Sequence, residues 1–240
     1  MNAQLPDIQS LSVVFLGDFN PKIFQPAWFA AQGLIRQQEA EEAKVDIIHP
    51  EVVSFSLEWL ALQVTREQCA LTTTQEPYYV VMRDLIVGTF NLLQHTPLHK
   101  LGINIDMHFR MDSEASWHAF GHRLAPKDLW QDTLKNPGMR SLTMEGQRPD
   151  EFRGYIRVQV EPSIKIHPGV YVRVNDHYEI ETLQPGTGSD AMLDIFQRAW
   201  GASLTRSNHI IATLLEKNND CTGMATNQLF RVPRTAAEWG

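Results

Sequence analysis

A weak internal duplication constrains the fold more than any other feature of the sequence. Residues 11–19 (LSVVFLGDF) and residues 101–109 (LGINIDMHF) both read as strands, and an aromatic-containing short helix follows each, at residues 26–35 and 113–124. Segments rich in β-forming residues come next in both halves, and each half closes with a longer helical pattern. The order β-α-β-β-β-α therefore occurs twice.

This order predicts an α+β fold in which two similar β-α-β-β-β-α units form a largely antiparallel sheet with helices packed on one face. The first unit spans residues 1–97, the second residues 98–217, and residues 218–240 form a polar C-terminal tail. We expect residues 36–50 and 125–153 to be connections between strands and helices.

Apolar residues recur at helical spacing in both closing helices. In the first helix they are Tyr79, Met82, Ile86, Phe90 and Leu93. In the second, where the small residues Ala199 and Ser203 are included, they are Met192, Ile195, Ala199, Ser203, Ile210 and Leu214. Gly88 and Gly201 lie inside these helices, where glycine costs about 1 kcal/mol relative to alanine. Each glycine therefore indicates either close packing or a break in the helix.

The composition is that of an ordinary folded protein that needs no disulfide or metal for stability. Hydrophobic residues make up 43% of the chain and charged residues 20%. Cys69 and Cys221 lack the CxxC spacing of a zinc or redox site, which favours a reducing compartment. Neither a secretion signal nor a membrane-spanning run is evident, so we expect a cytoplasmic protein with no membrane contact.

Charge argues against nucleic acid as a partner. The formal net charge is −7, and basic residues are spread thinly along the chain. Residues 1–110 carry 7 basic and 12 acidic side chains, whereas residues 111–240 carry 14 and 16. An anion-binding patch is therefore expected in the second half.

Two segments carry a resemblance to known proteins. Residues 94–109 (QHTPLHKLGINIDMHF) and 190–211 (DAMLDIFQRAWGASLTRSNHII) are similar to a sporadically distributed bacterial family of uncharacterised proteins of about this length, with which no activity is associated. The repeated unit also resembles in outline the duplicated saddle of TATA-binding-type folds, whose sheet forms the binding surface. Each unit here has one predicted strand fewer than that saddle.

Short motifs for metal, phosphate or nucleophile chemistry are incomplete. His118 and His122 are four residues apart on a predicted helix, as a metal pair requires, but no third ligand is fixed by spacing. Residues 185–191 (PGTGSDA) precede a helix yet lack the GK[ST] ending of a phosphate loop. We therefore predict no catalytic residues, no metal and no cofactor.

The most informative segment is a predicted hairpin around KIHPG, whose Pro168 and Gly169 suit a turn. A turn centred near Lys165 sets Arg157 opposite Arg173, and like charges placed opposite each other destabilise a sheet. Such a clash requires compensation, either by an internal ion-pair network or by a bound anion, acidic partner or nucleic-acid strand.

The candidate binding face combines this hairpin with residues 101–109. Alternation along the strands places one set of polar and aromatic side chains on the same side of the sheet. These side chains are Asn104, Asp106, His108, Tyr155, Arg157, Tyr171 and Arg173.

The sequence leaves three hypotheses about function open. The first is a non-enzymatic recognition module whose exposed sheet face holds a protein or a small acidic ligand. The alternative is an enzyme or ligand carrier with a cavity between the sheet and the long helices, in which Asp106 and His108 act as an acid/base pair. The third, nucleic-acid binding by the sheet, is disfavoured by the charge. Free sheet edges also allow self-association.

Overall fold

The computed structural model of the chain describes residues 4–180 and 188–222, with side chains to residue 216. The strands are β1 (Ile8–Gly17), β2 (Lys44–His49), β3 (Val52–Ser56), β4 (Ala61–Thr65), β5 (Gln68–Thr73), β6 (Leu98–Arg110), β7 (Leu142–Gln147), β8 (Gly154–Pro162) and β9 (Gly169–Glu179). The α-helices are α1 (Pro26–Ala31), α2 (Gln37–Glu41), α3 (Tyr79–Leu92), α4 (Glu114–Leu124) and α5 (Asp190–Thr222).

The strands form one nine-stranded sheet in the order β2-β3-β4-β5-β1-β6-β9-β8-β7. Every neighbouring pair is antiparallel. Strands β1 and β6 pair at the centre, where Leu11 lies opposite Ile105 and Phe15 opposite Leu101. The predicted α+β class with an antiparallel sheet is confirmed.

One face of the sheet carries the hydrophobic core and the helices. On β1 the alternate residues Leu11, Val13 and Phe15 are fully buried. The ring of Phe15 packs edge-on against Phe90 of α3 and Phe196 of α5, with ring centroids 5.1 and 5.8 Å away. Alternation directs the intervening side chains of β1 to the opposite face of the sheet, away from α3 and α5.

The buried stripe on the second half of α5 is offset by one residue from the predicted one. Ile211 and Leu215 are buried, whereas Ile210 and Leu214 are only half-buried. The stripe passes through the buried Ser207 at four-residue spacing. The predicted stripe includes Ser203 but then moves to Ile210, because an isoleucine outweighs the serine at position 207 in a hydrophobic pattern.

Neither closing helix breaks at its glycine. A Cβ atom on Gly88 would lie 2.7 Å from Leu34 Cδ2, so α3 packs closely there. A Cβ atom on Gly201 would meet nothing within 4 Å, and this part of α5 faces solvent. Close packing therefore explains Gly88 but not Gly201.

The prediction that residues 36–50 and 125–153 are connections is wrong, because the first range contains α2 and the edge strand β2 and the second contains the edge strand β7. All six residues of β2 are exposed, and the pairing with β3 shifts between Val45 and Ile47. An edge strand with neither face buried shows no alternating pattern in the sequence. Helix α5 also continues to Thr222, beyond the expected start of the tail at residue 218.

A buried ion-pair network that sequence analysis missed ties α5 to the sheet. Asp176 on β9 is 1% exposed and accepts hydrogen bonds from Arg148 and from Arg206 of α5, the latter at 3.0 Å. Arg148 also pairs with Asp150 at 2.7 Å, and its guanidinium carbon lies 3.6 Å from the ring centroid of Tyr178. The network therefore holds the segment after β7 and the helix against one strand.

Candidate functional site

The helix-free face of the sheet carries its charged and aromatic side chains in the second half. The β6–β9 register sets Asp106 opposite Arg173 and His108 opposite Tyr171. The register and the alternation of side chains place all seven predicted residues on this side. We call them the polar face: Asn104, Asp106, His108, Tyr155, Arg157, Tyr171 and Arg173.

Asp106 organises the centre of the polar face. Its Oδ1 atom accepts a hydrogen bond from Arg173 Nε at 2.6 Å and another from the hydroxyl of Tyr171. Only 11% of the Asp106 side chain is exposed. Burial and the hydrogen bond to Asp106 raise the pKa of Tyr171, so its hydroxyl keeps its proton.

The guanidinium of Arg173 is held at one edge and free at the other. Its Nε atom is used by Asp106, whereas neither Nη atom has a hydrogen-bond partner among the described residues. The Arg173 side chain is 46% exposed. An oxyanion can therefore reach both Nη atoms without breaking the ion pair with Asp106.

His108 is tied to the hairpin turn rather than to Asp106. Its Nδ1 atom lies 2.8 Å from Ser163 Oγ, which itself accepts hydrogen bonds from the N–H groups of Lys165 and Ile166 at 3.1 and 3.0 Å. Because its two acceptor positions are used by these N–H groups, the Ser163 hydroxyl is left to donate a hydrogen bond to His108 Nδ1. Burial, together with the positive charge of Lys165, lowers the pKa of His108, which favours the neutral imidazole.

The predicted clash between Arg157 and Arg173 is absent, because the β8–β9 register differs by two residues from the expected one. Arg157 lies opposite Asn175, and Gln159 lies opposite Arg173. The turn closes with a hydrogen bond from Ser163 N–H to the carbonyl of Gly169, which centres it one residue later than assumed. A two-residue shift changes the cross-strand partners but keeps each side chain on its predicted face.

Arg157 belongs to a separate ion pair farther out on the sheet. Its Nη2 atom donates to Glu145 Oε2 on β7 at 2.7 Å, and both side chains are about half exposed. Its guanidinium carbon also lies 4.8 Å from the ring centroid of Tyr155, whose ring stacks on His177 at 4.5 Å. Arg157 and Arg173 therefore each have an acidic partner of their own, Glu145 and Asp106, in two separate ion pairs.

Two open hollows on the polar face meet at Arg173. The first has a volume of about 360 Å³, and its lining includes Asp106, His108, Glu161, Lys165 and Tyr171. The second has a volume of about 320 Å³, and its lining includes Lys100, Asn104, Asn175 and His177. Tyr155 and Arg157 line neither hollow. Sequence analysis missed Glu161, Lys165, Asn175 and His177, although alternation along β9 puts Asn175 and His177 on the face of Arg173.

The acid/base arrangement of the alternative hypothesis does not fit this geometry. Asp106 and His108 lie on the face of the sheet opposite the helices, so they cannot line a cavity beneath α3 and α5. No hydrogen bond joins the two side chains among the described residues. Ser163 Oγ is engaged by three hydrogen-bonding groups, so it is not a free nucleophile.

The remaining sequence motifs have local structural partners. His122 Nδ1 accepts the N–H of Lys127 at 3.3 Å, and no group of three metal-ligating side chains occurs in the described part of the chain. Residues 185–187 of the glycine-containing segment lie outside the described residues. The described Ser189 donates to the carbonyl of Phe90 at 3.0 Å, which fastens the start of α5 to α3.

Comparison of the chain with protein-family models and with curated protein sequences gives no match. The resemblances noted from the sequence therefore stay expectations. Within residues 4–180 and 188–222, no helix combines the length and the apolar character needed to cross a membrane.

Proposed function

We propose that this protein is a non-enzymatic recognition module that binds a protein or a small acidic ligand on its polar face. The observation that carries the proposal is the state of Arg173. Its guanidinium is fixed through Nε by a largely buried carboxylate, and between the two hollows it presents two Nη groups that have no hydrogen-bond partner among the described residues. A carboxylate fits this edge through two parallel hydrogen bonds.

The fixed position of Arg173 favours binding because part of its conformational entropy is already lost before a ligand arrives. Lys165 lines the hollow on one side of Arg173 and forms no ion pair among the described residues. The same hollow is also lined by the carboxylates of Asp106 and Glu161, so a ligand with two acidic groups has to place them at the Nη edge of Arg173 and at Lys165.

The charge distribution favours a compact acidic ligand or an acidic segment of a protein over a nucleic-acid backbone. Glu145 and Glu179 neutralise Arg157 and Lys100 at distances of 2.7 and 3.2 Å. A long polyanion laid across the sheet would meet these carboxylates as well as the arginines. The cytoplasmic location and self-association through sheet edges stay proposals from the sequence.

We also infer that the sheet is built from two related units. From the central pair outward, the strands run β1, β5, β4, β3 on one side and β6, β9, β8, β7 on the other. In each half, the first of these strands along the chain lies at the centre, and the other three follow outward in reverse chain order. This shared arrangement supports the two β-α-β-β-β-α units, with β2 as an additional strand in the first unit. A single superposition of the backbone of the first unit on that of the second should match their four corresponding strands and should also place α3 on α5. A superposition that matches the strands but separates the helices would contradict common descent of the units.

The binding proposal is tested with fluorescein-labelled acidic peptides, by fluorescence anisotropy at low salt. The substitution Arg173→Gln should weaken binding about tenfold, and adding Arg157→Ala should weaken it further or leave it unchanged. The matched control is Arg66→Gln, because Arg66 is an exposed arginine that pairs with Glu51 near the β4–β5 turn. Equal affinity of the Arg173 and Arg66 variants, or no binding to the unaltered protein, would refute the proposal.

A further inference from the structure

A separate cavity lies on the opposite, helix-bearing side of the sheet. It has a volume of about 390 Å³, in the range of small-molecule sites rather than of packing defects. Its apolar lining comes chiefly from β6 and α5, through Ile105, Met107, Phe109, Leu204, Ile211 and Leu215. An apolar compound, or the apolar part of a larger compound, fits this lining.

The polar part of the same cavity is acidic. Glu76 and Glu216 both line it, and no lysine, arginine or histidine does so among the described residues. Gln9 Nε2 donates to Glu76 Oε2 at 3.3 Å, which orients that carboxylate without neutralising it. Among the described residues these two carboxylates have no countercharge, and this favours a cationic ligand group.

Tyr79 supplies a polar group that has no hydrogen-bond partner among the described residues. It lines the cavity, and its hydroxyl oxygen is buried without a hydrogen bond to any described residue. Burial and the negative charge of Glu76 raise the pKa of Tyr79 to about 12, so the hydroxyl stays protonated at neutral pH. Buried polar atoms normally have a partner, and an ammonium group can donate to this oxygen.

We propose that this cavity binds a small amphipathic amine. The apolar body of the ligand packs between β6 and α5, and its ammonium group pairs with Glu76 and donates to the hydroxyl oxygen of Tyr79. This site goes beyond the proposed recognition function, because it lies on the other side of the sheet and shares no residue with the polar face.

The first test compares two compounds with the same apolar ring system and opposite charge, naphthylmethylamine and naphthylacetate. Isothermal titration calorimetry on the full chain at neutral pH should give an affinity for the amine about tenfold higher than for the carboxylate, or more. Equal affinities, a preference for the carboxylate, or no binding of the amine would overturn the proposal.

The second test locates the site with substitutions. Glu76→Gln should weaken amine binding about tenfold and narrow the difference between the two compounds. Tyr79→Phe should weaken amine binding while leaving naphthylacetate binding unchanged. Glu67→Gln, at an exposed glutamate in the β4–β5 turn, is the matched control and should change neither affinity.

Thermal unfolding of each variant separates loss of the site from loss of the fold. If Tyr79→Phe unfolds at the assay temperature, the comparison of the Glu76 and Glu67 variants still decides the outcome. Equal affinities of these two variants for the amine would overturn the proposed location of the site. Arg173→Gln should leave amine binding intact, so failure of the polar-face proposal and failure of this one are distinguishable.

Discussion

Arg173 and Asp106 lie directly opposite each other on neighbouring strands, and Arg173 Nε donates to Asp106 Oδ1 at 2.6 Å. The aspartate is almost buried, and the arginine is half exposed. This asymmetry leaves the solvent-facing edge of the guanidinium open. The pair therefore both stabilises the sheet and prepares a site for an oxyanion.

The pair predicts a large difference between two acid-to-amide substitutions. Asp106→Asn weakens the hydrogen bonds from Tyr171 and Arg173 and leaves the arginine without its countercharge, so the free energy of unfolding should fall by about 1–3 kcal/mol. Glu145→Gln breaks a half-exposed pair and should cost less than about 1 kcal/mol. Urea denaturation measures both, and equal losses would contradict the central role of Asp106.

The register of β8 and β9 predicts the coupling energies of Arg157. A double-mutant cycle between Arg157 and Glu145 should give a favourable coupling of about 0.2–1 kcal/mol. The cycle between Arg157 and Arg173 should give less than about 0.5 kcal/mol, because the two are diagonal neighbours and each has its own acidic partner. A clear repulsive coupling between the arginines would instead support the register in which they face each other.

His108 predicts a loss of stability in mild acid. Because its pKa is lowered in the folded protein, the unfolded chain takes up the proton more readily. Its contribution is therefore present above the unfolded pKa of about 6.5 and is lost as pH falls from there toward the lowered folded pKa. Denaturation midpoints across this range should depend less on pH in His108→Gln.

Some pH dependence should remain in that variant, since burial also lowers the pKa of His177. Identical pH profiles for the variant and the unaltered protein would show that His108 is not held in its neutral form.

The two helix glycines predict opposite outcomes of the same substitution. Gly201→Ala adds a methyl group in open space on an exposed helix position and should raise the free energy of unfolding by about 0.5–1 kcal/mol. Gly88→Ala should gain less or lose stability, since Leu34 Cδ2 has to move. Thermal denaturation of both variants checks this, and a larger gain at Gly88 would contradict the packing of α3 against Leu34.

Sequence analysis predicted those parts of the fold that have a periodic burial pattern. Strand β1, the hairpin and the two closing helices belong to this group, because one side of each is buried, whereas residues 101–109 of β6 are buried on both faces. Strand β2 could not be found, since all its residues are exposed at the edge of the sheet. Asp176 occupies a core-facing position of β9, and its partners Arg148 and Arg206 are distant in sequence, so no local pattern indicated the buried network.

The side chains of the polar face were predictable as a set, but their partners were not. Alternation along a strand has a period of two, so a two-residue error in register leaves Arg157 and Arg173 on the correct side. The partners depend on the turn, where Ser163 binds the N–H groups of Lys165 and Ile166. These contacts reach two and three residues ahead, which is a local pattern of serine in turns, so Ser163 is the sequence signal that could have centred the turn correctly.

The most direct test of the account is an NMR titration that follows the side-chain N–H signals of Arg173 while an acidic peptide is added. The Nε–H signal should persist, because its bond to Asp106 is retained, whereas the Nη signals and the backbone amides of β6 and β9 should shift. Shifts confined to other parts of the protein, or no shifts at a peptide concentration that saturates binding, would contradict recognition by the polar face.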